Sequence, residues 1–373
     1  MKNSMKTAGV AQSGEEAGVW RLLDASANRA AEALRVVEDV VRFVLNDAQL
    51  TQLAKDLRHD LATLLAHNGL ASRVFVRDVA GDVGVEIVAA AALPRGSVDG
   101  VLAANAARAA QALRSLQECV PLVALATGAE FENLRYRLYA MERAARGVWR
   151  AQEYFHEIRL CVLVDGQATL AAFDHLIESL LAANVRMIQI RDKHLSVPAI
   201  VQRTQHALAI AQRHDPSGGV IVVVNNYADV AAATGAAGVH VGSDDLPAQL
   251  VRRVIGPRCL LGRTVHSMAE AQTAVRDGAD YLGVGPCFPS PTKSFATFAT
   301  PELLKAISRE NGLPQFAIGG ITLDHLDALA ECGYSRVAVA SAVTRAANPG
   351  KAAAAIIQRL NRLGSVPEPS TSS

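Results

Sequence analysis

The sequence predicts an α/β protein in two parts, a mainly α-helical region over 17–150 followed by a closed (β/α)8 barrel over 151–364. Three observations carry this. Before Arg150 the apolar residues recur at three-and-four spacing, the signature of amphipathic helices. After Arg150, eight short runs rich in Val and Ile alternate with helical stretches. Such runs read as parallel strands buried on both faces. The span 158–363 is also the small end of what eight barrel units need. An open doubly wound sheet is the architectural alternative, and the regularity of the eight units favours closure.

The elements follow in order. Met1 to Ala17 is polar and lacks an apolar core, so it does not read as a secretory signal. Leu22, Leu23, Ala30, Ala33, Leu34, Val37, Val40, Val41 and Val44 define a helix over 20–46. Further helices read at 48–67, 100–118 and 130–149; between them Ser72–Gly84 carries Arg, Asp and Gly without a clean period, and Ala92–Gly100 reads as a loop. Arg29-Ala-Ala-Glu-Ala-Leu-Arg35 returns as Arg108-Ala-Ala-Gln-Ala-Leu-Arg114, 79 positions later. A solenoid would repeat every ~20–50 residues. The echo therefore marks either two equivalent helices packed as a pseudo-symmetric pair or a coincidence of Ala- and Arg-rich helices. The strand runs are 158–164, 186–190, 220–224, 238–241, 259–261, 280–284, 315–318 and 336–340. The polar end, 365–373, reads as a disordered tail.

Composition sets the outer limits. A length of 373 residues fits two domains. Half the residues are apolar, enough to build cores and to exclude a disordered chain. A net charge of +1 lacks the basic face a nucleic-acid binder needs. No apolar run reaches the ~18 residues of a membrane span. The five cysteines are scattered and lack metal-ligand spacing, which reads as reduced thiols of a cytoplasmic protein.

In a (β/α)8 barrel the site lies at the carboxyl ends of the strands. After the second run comes Gln189-Ile-Arg191-Asp-Lys193, whose alternation sends an amide and two cations to one side. They suit a polar ring and a polyanion, or else form a solvated cluster. After the third comes Asn225-Asn226, and after the fourth His240 with Asp244-Asp245. The two acids serve either as a helix N-cap or as a hard-oxygen ligand for Mg2+. The fifth run leads into Thr264 and His266. His240 and His266 are open between site and structural roles. The sixth opens a long loop with Ser290, Thr292 and Lys293. The seventh and eighth end in Gly319-Gly320 and Ser341, where bare backbone N–H groups can receive a phosphate. Two anion sites are thus expected, one at strands 7 and 8 and one at strands 2 to 4 with a metal.

These blocks, in this order, resemble the thiamine-phosphate synthase family over 158–361. The family series runs Gln-x-Arg-x-Lys, Asn-Asp, Gly-x-His-x-Gly-Gln-x-Asp, Gly-x-Ser-x-His, Gly-Pro-x-x-x-Thr-x-Thr-Lys and Gly-Gly-Ile. The resemblance implies a transferase joining hydroxymethylpyrimidine diphosphate to a thiazole phosphate, or its carboxylated form, with release of pyrophosphate. It implies that Gln189 and Thr264 contact the pyrimidine, and that Arg191, Lys193, Asn225 and Lys293 hold the diphosphate. It further implies Asn226 and Asp245 as ligands of Mg2+, and Ser290, Thr292 and Gly320 on the thiazole phosphate, to which the strand-8 reading adds Ser341. Arg191, Lys193 and Lys293 are then the catalytic cations. The sequence departs from the pattern at Asn226, where the family has Asp, at Ser243 for Gln, at Thr264 for Ser and at Ser290 for Thr. The thiazole tautomerases share the barrel but need no diphosphate clamp, so these cations favour the synthase.

Residues 17–149 resemble the helical domain sometimes fused ahead of this synthase, through Asp24-Ala-Ser-Ala-Asn28-Arg29 to Phe43 and Arg77-Asp78-Val-Ala-Gly-Asp82-Val-Gly84. The resemblance implies a kinase for hydroxymethylpyrimidine phosphate, using ATP without a P-loop. Arg29 and Arg77 become candidates for phosphate contact, and Asp78 and Asp82 for Mg2+. Asn28, Glu32, Arg35 and Asp39 share one helix face, which spacing alone reads as a solvated charged face. The competing role is a non-catalytic dimerisation module, which leaves a homo-oligomer open.

Overall fold

The computed structural model describes residues 2–67, 69–77, 96–123, 128–165, 167–290 and 297–364. Asp78, Asp82, Thr292, Lys293 and the tail 365–373 lie outside the described residues. The chain divides into two compact units, Met1–Trp149 and Arg150–Ser373.

The first unit is helical. Its helices are α1 (Lys2–Phe43), α2 (Ala48–Ala66), α3 (Val98–Cys119) and α4 (Ala129–Tyr154), the last ending beyond the unit. Asp47 caps α2 by accepting the Leu50 N–H at 2.8 Å. Ser97 caps α3 by accepting the Gly100 N–H at 3.1 Å, so this helix starts inside the stretch expected to be loop. A 3-10 segment, Leu70–Val76, occupies part of the stretch that lacks a clean period in sequence. α1 begins far ahead of its apolar stripe, because that stripe records burial rather than helicity.

The echoed segments lie on α1 and α3, and among the described residues these two helices share the most extensive helix–helix contact. Equivalent positions are buried in both: Ala30 with Ala109, Ala33 with Ala112, Leu34 with Leu113, Val37 with Leu116. Small side chains allow the two backbones to approach closely. The echo therefore corresponds to a packed pair of helices. Asp60 of α2 and Asp99 of α3 bind Arg137 and Arg146 of α4 at 2.7 and 3.0 Å.

The second unit is a closed parallel barrel in sequence order. Its strands are β1 (Leu160–Val164), β2 (Met187–Ile190), β3 (Ile221–Asn225), β4 (Gly238–Val241), β5 (Leu260–Val265), β6 (Tyr281–Val284), β7 (Gln315–Ile318) and β8 (Val337–Val339). The intervening helices are α5 (Leu170–Ala182), α6 (Val197–His214), α7 (Ala228–Thr234), α8 (Ala248–Ile255), α9 (Met268–Asp277), α10 (Pro301–Glu310) and α11 (Leu326–Glu331). After β8 come the one-turn α12 (Ser341–Thr344) and α13 (Pro349–Gly364). The α/β class and the eight-strand barrel match the expectation from sequence.

The barrel interior is filled by side chains of alternate strand positions, among them Cys161, Met187, Ile221, Leu260, Tyr281 and Phe316. Phe155, just after α4, seals the amino-terminal end, with ring centres 5.2 Å from Tyr281 and 5.9 Å from Phe316. Burying such a ring stabilises by about 2–3 kcal/mol. Asp280 closes the same end: it receives Arg150 at 2.6 Å, Arg252 at 2.7 Å and the Leu261 N–H at 2.8 Å. With that end filled, the open space is left at the carboxyl ends.

Candidate active site

Two adjoining cavities open at the carboxyl ends of the strands. The first, about 220 Å3, is lined by Gln189, Arg191, Lys193, Asn225, Asn226, His240, Asp244, Asp245, Thr264 and His266, among others. The second, about 470 Å3, is lined by Ser290, Gly319, Gly320, Thr322, His325 and Ser341 among others. Leu163, Arg191, Ile318 and Gly319 line both. Every sequence-predicted barrel residue that is described lies on one cavity or the other. Thr292 and Lys293 lie outside the described residues.

Strand alternation explains the convergence on the first cavity. Leu163, Gln189 and Val223 are register partners on neighbouring strands and share the interior face. Arg191 extends this ladder by one step, its N–H donating to the Val164 carbonyl at 3.0 Å. Its side chain is thereby held two positions above Gln189 at the mouth.

Beneath the mouth runs a buried polar relay that sequence reasoning missed. The Tyr281 hydroxyl is in hydrogen-bond contact with Gln189 and lies 3.1 Å from His240 Nδ1. His240 Nε2 lies 2.8 Å from Thr264 Oγ1. Tyr281 opens β6 and reads in sequence as a core aromatic. The available signal was Gly262 opposite it: a Cβ there would lie 2.1 Å from the Tyr281 ring and 2.4 Å from His240 Nδ1. Burial, and secondarily the Arg191 charge, lowers the His240 pKa to about 4, so the imidazole is neutral at pH 7. A neutral imidazole donates at one nitrogen and accepts at the other. Running the relay from Gln189 to Thr264 therefore leaves one donor and one acceptor at its two cavity ends. His240 thus has a structural place in the site, as the link between two cavity-lining groups. His266 is fixed separately, its Nδ1 donating to the Gly285 carbonyl at 2.5 Å.

The donor set around Asn226 and Asp245 suits Mg2+. Asn226 adopts a left-handed φ of 68°, which asparagine tolerates, and its Oδ1 accepts from Asn225 Nδ2 at 2.7 Å. Asp245 Oδ2 accepts the Gly242 N–H at 2.7 Å. Asp245 does not cap α8, whose N-cap position is Pro247. Asp244 lines the same cavity and brings a second carboxylate, where Asn226 lacks one. No group of three His, Cys, Asp or Glu side chains that could hold a metal occurs among the described residues. Mg2+ needs none, since it takes one or two carboxylates and completes its shell with phosphate and water.

The second cavity is built by backbone. Gly320 has φ +65°, and a Cβ there would meet the Phe288 and Pro289 carbonyl oxygens at 2.3 Å. That close approach brings the β7 loop against the loop carrying Ser290. The Phe288 ring stacks on His325 with ring centres 3.8 Å apart.

In the helical unit Arg77 is held by Asp24 through two bonds, 2.7 and 2.9 Å long. Arg29 is exposed. Arg35 lies 3.7 Å from Asp39 in a solvated pair, and Asn28 donates to Asp24 at 3.4 Å. All five cysteines are free. No helix of the described residues is long and apolar enough to cross a membrane.

Comparison with known proteins agrees with this arrangement. Residues 160–343 match the family described as Thiamine monophosphate synthase, and residues 21–144 match the ThiD2 family. Thiamine-phosphate synthase of Rhodopirellula baltica is 37% identical over 88% of this chain and 89% of its own. That of Gloeobacter violaceus is 35% identical over 93% of this chain and 98% of its own. The solved structure of thiamine phosphate pyrophosphorylase from Pyrococcus furiosus is 26% identical, with a TM-score of 0.50. It covers 56% of this chain and 98% of that one. The synthase match falls on the barrel, the ThiD2 match falls on the helical unit, and near-full-length relatives share one activity: the chain belongs to the thiamine-phosphate synthase family of thiamine-biosynthesis transferases, with a ThiD2-family domain ahead of the barrel.

Proposed function

We propose that the two cavities hold the two substrates side by side, hydroxymethylpyrimidine diphosphate in the first and the thiazole phosphate, or its carboxylated form, in the second. The observation that carries this is Arg191, which lines both. In this reading Gln189 and Thr264 grip the aminopyrimidine, whose ring nitrogen accepts and whose amino group donates. The relay through Tyr281 and His240 supplies one group of each kind. Arg191, Lys193, Asn225 and Lys293 hold the diphosphate. Ser290, Thr292, Ser341 and the Gly320 N–H hold the thiazole phosphate.

The bond from the pyrimidine methylene carbon to the diphosphate oxygen breaks, and its electron pair leaves with pyrophosphate. The aminopyrimidine supports the resulting cation until the thiazole nitrogen supplies the pair for the new carbon–nitrogen bond. The protein's part is preorganised positive charge where the leaving group gains negative charge. Asn226 and Asp245, with Asp244 beside them, would hold Mg2+, which when bound adds further positive charge to the leaving diphosphate. No protein nucleophile is required. The five free cysteines support a cytoplasmic setting.

Lys293→Ala is expected to reduce turnover about a hundredfold when both substrates and Mg2+ are supplied. Wild-type turnover would remove that lysine from the clamp.

The helical unit is proposed to phosphorylate hydroxymethylpyrimidine phosphate with ATP, making the diphosphate that the barrel consumes. Its membership of the ThiD2 family, apart from the barrel family, supports a separate task. The full chain carrying Arg191→Ala, given the monophosphate, ATP and Mg2+, should accumulate the diphosphate. No diphosphate under those conditions would leave the dimerisation role, which sedimentation tests directly.

A further inference from the structure

One buried ion pair stands next to the first cavity without lining it. Asp192 and Arg203 have side chains only 6% and 8% exposed. Arg203, on α6, donates Nη1 to Asp192 Oδ2 at 3.4 Å and Nη2 to the Gln167 carbonyl in the loop after β1. Its guanidinium lies 5.3 Å from the ring centre of Phe173 on α5. One side chain thus ties the loops after β1 and β2 together, braced against a fully buried aromatic.

Stability does not account for this arrangement. A buried ion pair is often no more stable than well-packed apolar residues of similar volume. Its position supplies a different reason. Asp192 stands between Arg191 and Lys193, both of which line the cavity. Alternation turns its side chain away from theirs, toward α5 and α6. Asp192 Oδ1 also accepts the His194 N–H at 2.9 Å, closing the turn that carries Lys193.

We propose that Arg203 and Asp192 are a positioning pair that fixes the turn at 191–194 and so aims Lys193 and Arg191 at the diphosphate. The proposal rests on the assignment of those two cations to the diphosphate. Misplacement of a binding group by about an ångström costs on the order of ten- to a hundredfold.

The test uses the full chain, with calorimetric titration of inorganic pyrophosphate in Mg2+ and steady-state kinetics for both substrates. The double variant Asp192→Leu/Arg203→Met leaves no lone buried charge. It is expected to melt close to wild type, to bind pyrophosphate about tenfold more weakly, and to raise KM for the pyrimidine diphosphate by a similar factor. KM for the thiazole phosphate should stay within about twofold. Arg203→Lys, which keeps the charge on Asp192 but loses the fork to Gln167, should recover part of the affinity. If the double variant binds pyrophosphate like wild type while Lys193→Ala binds it weakly, the pair is merely structural and the proposal is overturned. If Lys193→Ala itself binds like wild type, the diphosphate assignment fails and takes the proposal with it. Should the double variant not fold, Asp192→Asn is read in its place: it keeps an acceptor for the His194 N–H but drops the charge that Arg203 pairs with, so a smaller weakening of the same sign is expected, and wild-type pyrophosphate binding overturns the proposal.

Discussion

The two halves of the molecule use charge in opposite ways. In the helical unit, acids and arginines answer one another within the chain: Asp24 with Arg77, Glu38 with Arg58, Asp60 with Arg137, Asp99 with Arg146. The barrel does the same at its amino-terminal end, where Asp280 takes two arginines. At the carboxyl ends of its strands one cation departs from that pattern. There Arg191 faces two cavities with no carboxylate partner among the described residues. Charge matched within the chain holds the fold together. In the proposed reading, the charge of Arg191 at the cavity mouth is matched by the substrates.

The largest effect should come from removing that cation. Arg191→Ala is expected to lower kcat/KM about hundredfold, or ~3 kcal/mol of barrier. Because Arg191 lines both cavities, KM for both substrates should rise. Steady-state kinetics with each substrate varied in turn checks this, and a change confined to one substrate would contradict a shared arginine.

The same contrast explains what was legible in the sequence. Strands buried on both faces write themselves as Val and Ile runs, so all eight were visible. β5 reads as ending at 261 but ladders on through Gly262-Arg-Thr264-Val265. Two of them break the apolar run for the site's sake: Gly262 leaves room for Tyr281 and His240, and Thr264 lines the cavity. Gln189, Arg191 and Asp245 were visible because polar residues stand out after such runs. Tyr281 was hidden because an aromatic at the start of a strand looks like core, and its hydroxyl contacts only become apparent in three dimensions. Asp192 and Arg203 were hidden because their meeting joins a strand end to a helix, which no local period encodes. The amino-terminal half of α1 was hidden for the converse reason, since a polar helix leaves no stripe.

The next effect concerns the relay. The folded barrel keeps His240 neutral down to about pH 4, chiefly through burial, whereas the unfolded chain protonates it near 6.5. Between those values the unfolded state binds more protons, so stability is full above pH 6.5 and falls as pH drops toward 4. The loss from this one group approaches about 3 kcal/mol at the acid end. His240→Asn should melt lower at pH 7 yet show a shallower decline between pH 6.5 and 4, measured by thermal unfolding across buffers. An unchanged slope would mean that another group dominates acid unfolding. Gly320→Ala comes next. The added Cβ pushes against two carbonyl oxygens, so KM for the thiazole phosphate should rise about tenfold, with KM for the pyrimidine diphosphate nearly unchanged.

The smallest effect belongs to the helical unit and tests the other side of the contrast. Glu38 is buried, with a side chain 5% exposed, and receives Arg58 Nε at 2.7 Å. Arg35 lies 3.5 Å away and is half exposed. Glu38→Gln keeps the volume and removes the charge, while Arg58, partly exposed, can turn to water. The cost should therefore be about 1–2 kcal/mol, below that of stranding a fully buried ion. It is read as a lower unfolding midpoint of the full chain. Formation of thiamine phosphate from supplied pyrimidine diphosphate should stay within about twofold of wild type, since the barrel carries its own core. The informative comparison is with phosphorylation of hydroxymethylpyrimidine phosphate. A staple loses stability and the proposed kinase output together, and both return on cooling. If Glu38→Gln abolishes phosphorylation at a temperature where the unit is fully folded, Glu38 is itself a site group, and internal pairing no longer separates architecture from chemistry in this half of the chain.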